Sequence, residues 1–209
     1  MRDGLALRPV GEDALLVEAD CTERAESLYA HLLARRSELP EITEIVPAAR
    51  TVLLDGIADR AALARQLADW QVSLHPPADG PLVEVPTAYD GADLPEVAAL
   101  WDVSVEAAVR IHAAPEYRVA FCGFAPGFGY LTGLPARYEV PRRDTPRSSV
   151  PAGAVALAGP FTGVYPRSSP GGWQLLGRTT LALWDARREP AALLAPGVRV
   201  RFLPVRAPR

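Results

Sequence analysis

The first 78 residues alternate short runs of strand-like patterning with stretches whose apolar positions recur at helical spacing. Leu5 to Val10 and Ala14 to Glu18 flank Gly11-Glu12-Asp13, which predicts a hairpin. Thr22 offers an N-cap, and Glu23 stands in the first turn where it suits the helix dipole. Ala25, Leu28 and Leu32 then follow a helical stripe as far as Leu39-Pro40. Ile42 to Val46 and Thr51 to Asp55 predict two further strands. Asp59 caps a second predicted helix, whose stripe is Leu63, Leu67, Trp70 and Leu74. Both stripes must be buried on one face of one sheet. The order β-α-β-β-α with an extra strand therefore predicts an α+β, ferredoxin-like sandwich over residues 1–79. Nothing in this half is patterned for catalysis, and His31 and His75 are expected in structural or solvent-facing roles.

His75-Pro76-Pro77-Ala78-Asp79-Gly80-Pro81 blocks both helix and ladder pairing and predicts a semi-rigid joint. Beyond it, a strand at Leu82 to Pro86 precedes two short helices, Pro95 to Trp101 and Ser104 to Ala113. This helix pair has the rhythm of a helix-turn-helix. It carries Asp93, Glu96, Asp102 and Glu106 against Arg110 alone, a balance that repels phosphate and argues against nucleic acid. Packing, or the wall of a site, is the better reading. Further strands are expected at Arg118 to Phe121, Val155 to Ala158, Gln174 to Leu176, Leu181 to Trp184 and Val198 to Leu203. Between Gly123 and Gly172 lie nine glycines and eight prolines, a density that would suggest disorder were it not interleaved with seven aromatics. The expectation is a β-barrel over residues 80–209 with long, ordered loops, the usual place for a site.

Composition narrows the chemistry. No apolar run approaches a membrane span, and Met1-Arg2-Asp3-Gly4 does not open a signal peptide; a cytoplasmic protein without membrane contact is expected. Cys21 and Cys122 are isolated, so neither a disulfide framework nor a metal site is predicted. All 22 basic residues are arginine, which rules out lysine Schiff bases, a P-loop lysine and a biotinyl-lysine carrier. From Arg118 to Arg178, seven arginines face Glu139 and Asp144, a local balance of +5 within a chain of net charge −3. Such clustering suits an anionic ligand held by forked hydrogen bonds; surface salt bridges are the plain alternative.

Three phrases carry a resemblance: Gly123-Phe-Ala-Pro-Gly-Phe-Gly-Tyr-Leu, then Pro141-Arg-Arg-Asp-Thr-Pro-Arg-Ser-Ser-Val-Pro-Ala-Gly, then Gly163-Val-Tyr-Pro-Arg-Ser-Ser-Pro-Gly-Gly-Trp-Gln-Leu-Leu-Gly-Arg-Thr. With Val85-Pro-Thr-Ala-Tyr-Asp-Gly and Ile111-His-Ala-Ala-Pro-Glu-Tyr-Arg-Val, they resemble the allophanate hydrolase subunit 1 family, also described as carboxyltransferase domain, subdomains C and D. That family includes the B subunit of prokaryotic 5-oxoprolinase, a sporulation kinase inhibitor and part of urea carboxylase. The resemblance covers nearly all of residues 82 to 203 and implies a cyclophilin-like barrel after the N-terminal domain. It also implies partners: a homologous barrel, the C subunit, meeting this one at a shared active site, and a third partner, the A subunit. The activity implied is ATP-dependent hydrolysis of 5-oxo-L-proline to L-glutamate, with ATP and its Mg2+ as co-substrate and no resident cofactor. Gly129 and Thr180 stand where the family has proline, and Phe161 where it has a polar residue; Gly129 is expected to loosen its loop.

Opening a lactam at the expense of ATP requires cations around phosphate and carboxylate and an acid–base group for the ring nitrogen. Arg147 and Arg178 are expected as catalytic cations, and Arg142 and Arg143 as further anion holders. His112, the histidine inside the resemblance, suits proton transfer by its ordinary pKa, or a cation at a helix C-terminus. Tyr130, Tyr165 and Trp173 form either a wall against a flat ring or plain core. Gly171-Gly172 lets backbone amides approach an anion, and Thr179 closes the binding set. Besides the enzyme subunit, two readings compete: a regulator of a sensor kinase, and a component acting on a urea- or allophanate-type substrate. Prolyl isomerase activity is not implied by the barrel.

Overall fold

The computed structural model describes residues 4–39, 41–68, 70–72 and 80–206. The chain forms two compact units that divide between Gly80 and Pro81.

The first unit contains β1 (Leu5–Val10), β2 (Ala14–Ala19), α1 (Thr22–Ala34), β3 (Glu44–Pro47), β4 (Thr51–Asp55) and α2 (Arg60–Ala68). Its sheet runs β1-β2-β4-β3, antiparallel throughout, with Val10 opposite Ala14 at the predicted hairpin. Leu15, Val17, Val52 and Leu54 from the strands bury against Leu28, Leu32, Leu63 and Leu67 from the helices. Each such side chain contributes about 1.5–3 kcal/mol by leaving water. The helix starts correct one expectation. Cys21 occupies the N-cap of α1 without a side-chain hydrogen bond, and Thr22 is already helical. Asp59 does cap α2, accepting the Ala62 N–H at 2.9 Å. Because α2 ends at Ala68, Trp70 reaches the core from beyond the helix. Leu74 and the predicted joint from His75 to Asp79 lie outside the described residues.

The second unit contains β5 (Leu82–Ala88), α3 (Leu94–Leu100), α4 (Val105–Ala113), β6 (Tyr117–Cys122), β7 (Gly129–Thr132), β8 (Arg147–Val150), β9 (Ala154–Ala158), β10 (Phe161–Val164), β11 (Ser169–Gly171), β12 (Gln174–Arg178) and β13 (Arg199–Val205). Seven strands close a barrel in the order β10-β7-β6-β13-β5-β12-β9, while β8 and β11 pair as a separate ribbon. In the barrel, β13 runs parallel to β5 and the remaining pairs are antiparallel. Strand β9 is buried on both faces, as period two requires of a strand covered twice. Ala154, Ala156 and Ala158 face a cluster with Phe128, Tyr165 and Trp173, whereas Val155 and Leu157 join other core clusters. The helix pair packs through Leu94, Val97, Ala98 and Ala108 against Leu157 and Leu176, so its apolar face is core.

Two expectations fail here. Leu181 to Trp184 is not a strand; its ladder is a single bridge between Trp184 and Ala192, because Thr179 and the Asp185–Arg188 turn bend the chain at both ends. Gly129 does not loosen a loop. It sits in β7 opposite Cys122, where a Cβ would stand 3.1 Å from Val119. Among the described residues no helix is long and apolar enough to cross a membrane.

Candidate active site

One short turn, Tyr89 to Asp93, touches four of the residues that the sequence nominates, His112, Arg143, Arg147 and Arg178. It follows β5 and leads into α3. Gly91 lets it lie flat on β12: its N–H donates to the Leu176 carbonyl at 3.1 Å, and a Cβ would collide with the Leu175–Leu176 backbone. This close approach brings three side chains of the turn to their partners. The Tyr89 hydroxyl lies 2.7 Å from His112 Nδ1. Asp90 Oδ2 accepts from Arg178 Nε at 2.9 Å. Asp93 Oδ1 accepts from Arg143 Nη1 at 2.8 Å and from Arg147 Nη2 at 2.7 Å, while its Oδ2 accepts the Leu175 N–H at 2.7 Å.

Asp93 is 3% exposed and holds the N-cap position of α3 without capping it, because both oxygens are committed elsewhere. Burial acts to raise its pKa. The Arg147 hydrogen bond, the Leu175 N–H and the charges of Arg147 and Arg143 outweigh that and hold the carboxyl below its ordinary value. Sequence reasoning counted Asp93 only as acidity against nucleic acid. The signal that was available, an aspartate just before a helix, points to a cap and so to the wrong partner.

Beside these arginines stands an aromatic cluster centred on Phe128, whose ring meets Phe124, Tyr130, Tyr165 and Trp173 edge-on at 5.1–5.4 Å. Glycines make room for it. A Cβ on Gly163 would stand 2.9 Å from Phe128 and 3.0 Å from Trp173, and one on Gly171 would run into the Tyr165 hydroxyl. Tyr165 and Trp173 are buried, and Tyr130 is half-buried. Burial raises both phenol pKa values, and the charge of Arg142 opposes the rise in each, so that guanidinium lies within electrostatic reach of the two rings. Arg142 is exposed and has no ion pair with a described residue. Phe124 projects from this cluster, 60% exposed, on a left-handed backbone of φ 66° that non-glycine residues adopt at a cost.

The other nominated residues have partners within the fold. His112 is fully buried; its Nε2 lies 3.3 Å from Thr162 Oγ1, and its ring packs on Tyr117 and Phe202. Desolvation pushes its pKa down to about 3, so it is neither a helix-end cation nor a group that titrates near neutrality. Its carbonyl accepts from the buried Tyr117 hydroxyl at 2.8 Å. The Thr179 Oγ1 accepts the Leu181 N–H at 3.2 Å, and its backbone N–H donates to Gly153. The Gly172 carbonyl takes the Arg143 N–H at 2.8 Å. The glycine pair thus serves Tyr165 and Arg143 in this structure.

The candidate site is therefore a basic, aromatic-lined region: Arg142 without an ion pair among the described residues, Arg143 and Arg147 sharing one buried carboxylate, and Arg178 held by exposed Asp90 of the same turn. Such a face can hold an oxyanion and stack a flat group. The carboxyltransferase domain, subdomain C and D family matches residues 5–194. The chain belongs to this family. It is 40% identical over 204 residues to the 5-oxoprolinase B subunit of Escherichia coli O157:H7, covering 93% of this chain and 94% of that one. The solved structure of TTHA0988 superposes with a TM-score of 0.75 at 38% identity, over 97% of this chain. The chain spans 41% of that protein's length. Kluyveromyces lactis urea carboxylase, 20% identical, shares the fold with a TM-score of 0.70 over 96% of this chain and 22% of its own. Both neighbours share the fold described above.

Proposed function

We propose that this chain is the B subunit of a 5-oxoprolinase, working with partner subunits to hydrolyse 5-oxo-L-proline to L-glutamate at the expense of ATP. The observation that carries this reading is the end-to-end match to proteins named for that subunit in Escherichia coli and Haemophilus influenzae, which leaves almost none of either chain unaccounted for. The face built by Arg142, Arg143, Arg147 and Arg178 supports it chemically. Activating an amide oxygen with ATP places phosphoryl and carboxylate charge side by side, and arginine forks suit both. In this reading Tyr130 and Phe124 flank the ring, Mg2+ arrives with ATP, and the remaining catalytic groups come from the homologous barrel of the C subunit and from the A subunit. His112 acts from within the core as a support for Tyr89 and Thr162.

Co-expression of the chain with its genomic neighbours, purification of the assembly and assay of glutamate release from 5-oxoproline test the reading. Release that needs ATP and every subunit is expected. An intact assembly that releases no glutamate would overturn it.

A further inference from the structure

The four arginines of the basic face differ in how their charge is met. Arg143 and Arg147 converge on the single oxygen Oδ1 of Asp93, at 2.8 and 2.7 Å, while Oδ2 is occupied by the Leu175 N–H. Two guanidinium charges thus meet one carboxylate, and the trio keeps a net charge of +1. Its geometry is layered. The Asp93 side chain is 4% exposed, whereas those of Arg143 and Arg147 are 31% and 24% exposed, so the anion lies behind and the cations face outward. Inside the trio, Arg143 Nε and Arg147 Nη1 are buried without an acceptor among the described residues. Buried donors without acceptors are costly, and these two are left with hydrogen-bonding capacity that Asp93 does not use.

We propose that Asp93 is a positioning residue, holding Arg143 and Arg147 as a preformed pair that binds one oxyanion of the ligand, a carboxylate or a phosphoryl group. The carboxylate fixes the rotamers in advance, so the pair need not be ordered when ligand arrives. The leftover charge supplies attraction, and the outward edges of the two planes supply the fork. Unpaired Arg142 extends the same field toward Tyr130 and Tyr165. The ligand's identity rests on the function proposed above; the existence of the oxyanion site does not.

The test follows the arginine side-chain Nε–Hε signals of the full chain by NMR, titrating inorganic phosphate and 5-oxoproline separately, with chloride as the ionic-strength control. Signals assigned through Arg143→Lys and Arg147→Lys are expected to move with phosphate, with 5-oxoproline, or with each. Movement with phosphate alone assigns a phosphoryl site, and movement with 5-oxoproline alone a carboxylate site. Asp93→Asn separates positioning from charge. Removing an anion raises the net positive charge, so a purely electrostatic patch would bind more tightly, whereas a positioned pair weakens by about tenfold. Asp93→Glu should recover part of that loss. Arg147→Lys keeps the charge and leaves Asp93 paired with Arg143, so it decides the matter even where the Asn variant does not fold; about tenfold weaker binding is expected as the fork is lost. Signals that respond to neither anion beyond chloride would overturn the proposal. So would a folded Asp93→Asn protein that binds as tightly as wild type, or an unchanged affinity in Arg147→Lys. An intact complex that is inactive on 5-oxoproline, but whose arginine signals still respond to phosphate, would overturn the proposed function and leave this site standing.

Discussion

Of the fifteen aromatic residues, the first unit holds Tyr29 and Trp70, and the second holds the other thirteen. The first unit closes its core with Leu, Val and Ile from one sheet face and two helix stripes. The second fits large rigid rings against glycines, as Gly163 does under Phe128 and Trp173 and Gly171 under Tyr165. Both units bury charge, the first in Arg24 and Glu26 and the second in Asp93, but the second shares its carboxylate between two arginines and also buries an imidazole, in His112. Aliphatic cores tolerate repacking when volume is conserved. A ring seated on a glycine and a carboxylate shared by two arginines do not, because each depends on one contact geometry. The two units therefore differ in what a small change costs, and the intolerant one carries the candidate site.

The largest effect is expected at Gly171. A methyl group there meets the Tyr165 hydroxyl, and that ring is held in place by Phe128 and by the backbone bonds of Tyr165 to Gly153 and Ala154. Gly171→Ala should cost up to about 3 kcal/mol in a urea unfolding series, the upper range for overpacking. At Gly172 the added methyl would stay 3.6 Å from Pro146, an ordinary contact, so Gly172→Ala should fall within about 0.5 kcal/mol of wild type. Equal costs at the two positions would show that the ring-on-glycine contact is not what limits this unit.

The same contrast explains what was legible in the sequence. All six elements of the first unit follow from local periodicity, since each stripe and each alternation is complete within a dozen residues. In the second unit β5, α3, α4, β6, β9, β12 and β13 follow for the same reason. Strands β7, β8, β10 and β11 do not, because Gly129-Tyr-Leu-Thr, Arg147-Ser-Ser-Val, Phe161-Thr-Gly-Val and Ser169-Pro-Gly are rich in residues that weaken a strand pattern. They are strands because distant neighbours pair with them. The site was legible as a set of arginines and rings, carried by the motif phrases. Its anchor was not. Asp93 lies 50 and 54 residues from Arg143 and Arg147, and no local pattern encodes that meeting.

A second effect belongs to His112. Its pKa falls from 6.5 to about 3 on folding, so the unfolded chain takes up a proton that the folded chain refuses. The resulting stability is fully present above the unfolded value and is lost as pH falls from 6.5 toward 3. At pH 5 the loss amounts to about 2 kcal/mol. His112→Gln should remove this part of the pH dependence between pH 7 and pH 5, measured as the shift in urea midpoint. An identical drop in wild type and variant would show that the imidazole is already protonated in the folded core. In the assembled enzyme, an inflection in rate between pH 6 and 9 that vanishes in His112→Gln would return this residue to proton transfer and break the contrast between a buried support and a working site.

The smallest effect on stability, and the cleanest on function, is expected at Arg178. Its partner Asp90 is itself exposed, with the two side chains 55% and 39% accessible, so the pair is screened by water and contributes less than about 1 kcal/mol. Arg178→Ala should therefore leave the urea midpoint nearly unchanged and the assembly intact. If Arg178 meets charge that develops on the ligand, turnover should fall by about a hundredfold, the loss typical of one electrostatic donor. Arg143 and Arg147 cannot separate the two effects so well, because removing either one disturbs a buried carboxylate. A variant that is as stable and as active as wild type would confine Arg178 to its surface pair with Asp90. The oxyanion face would then consist of the residues gathered around Asp93.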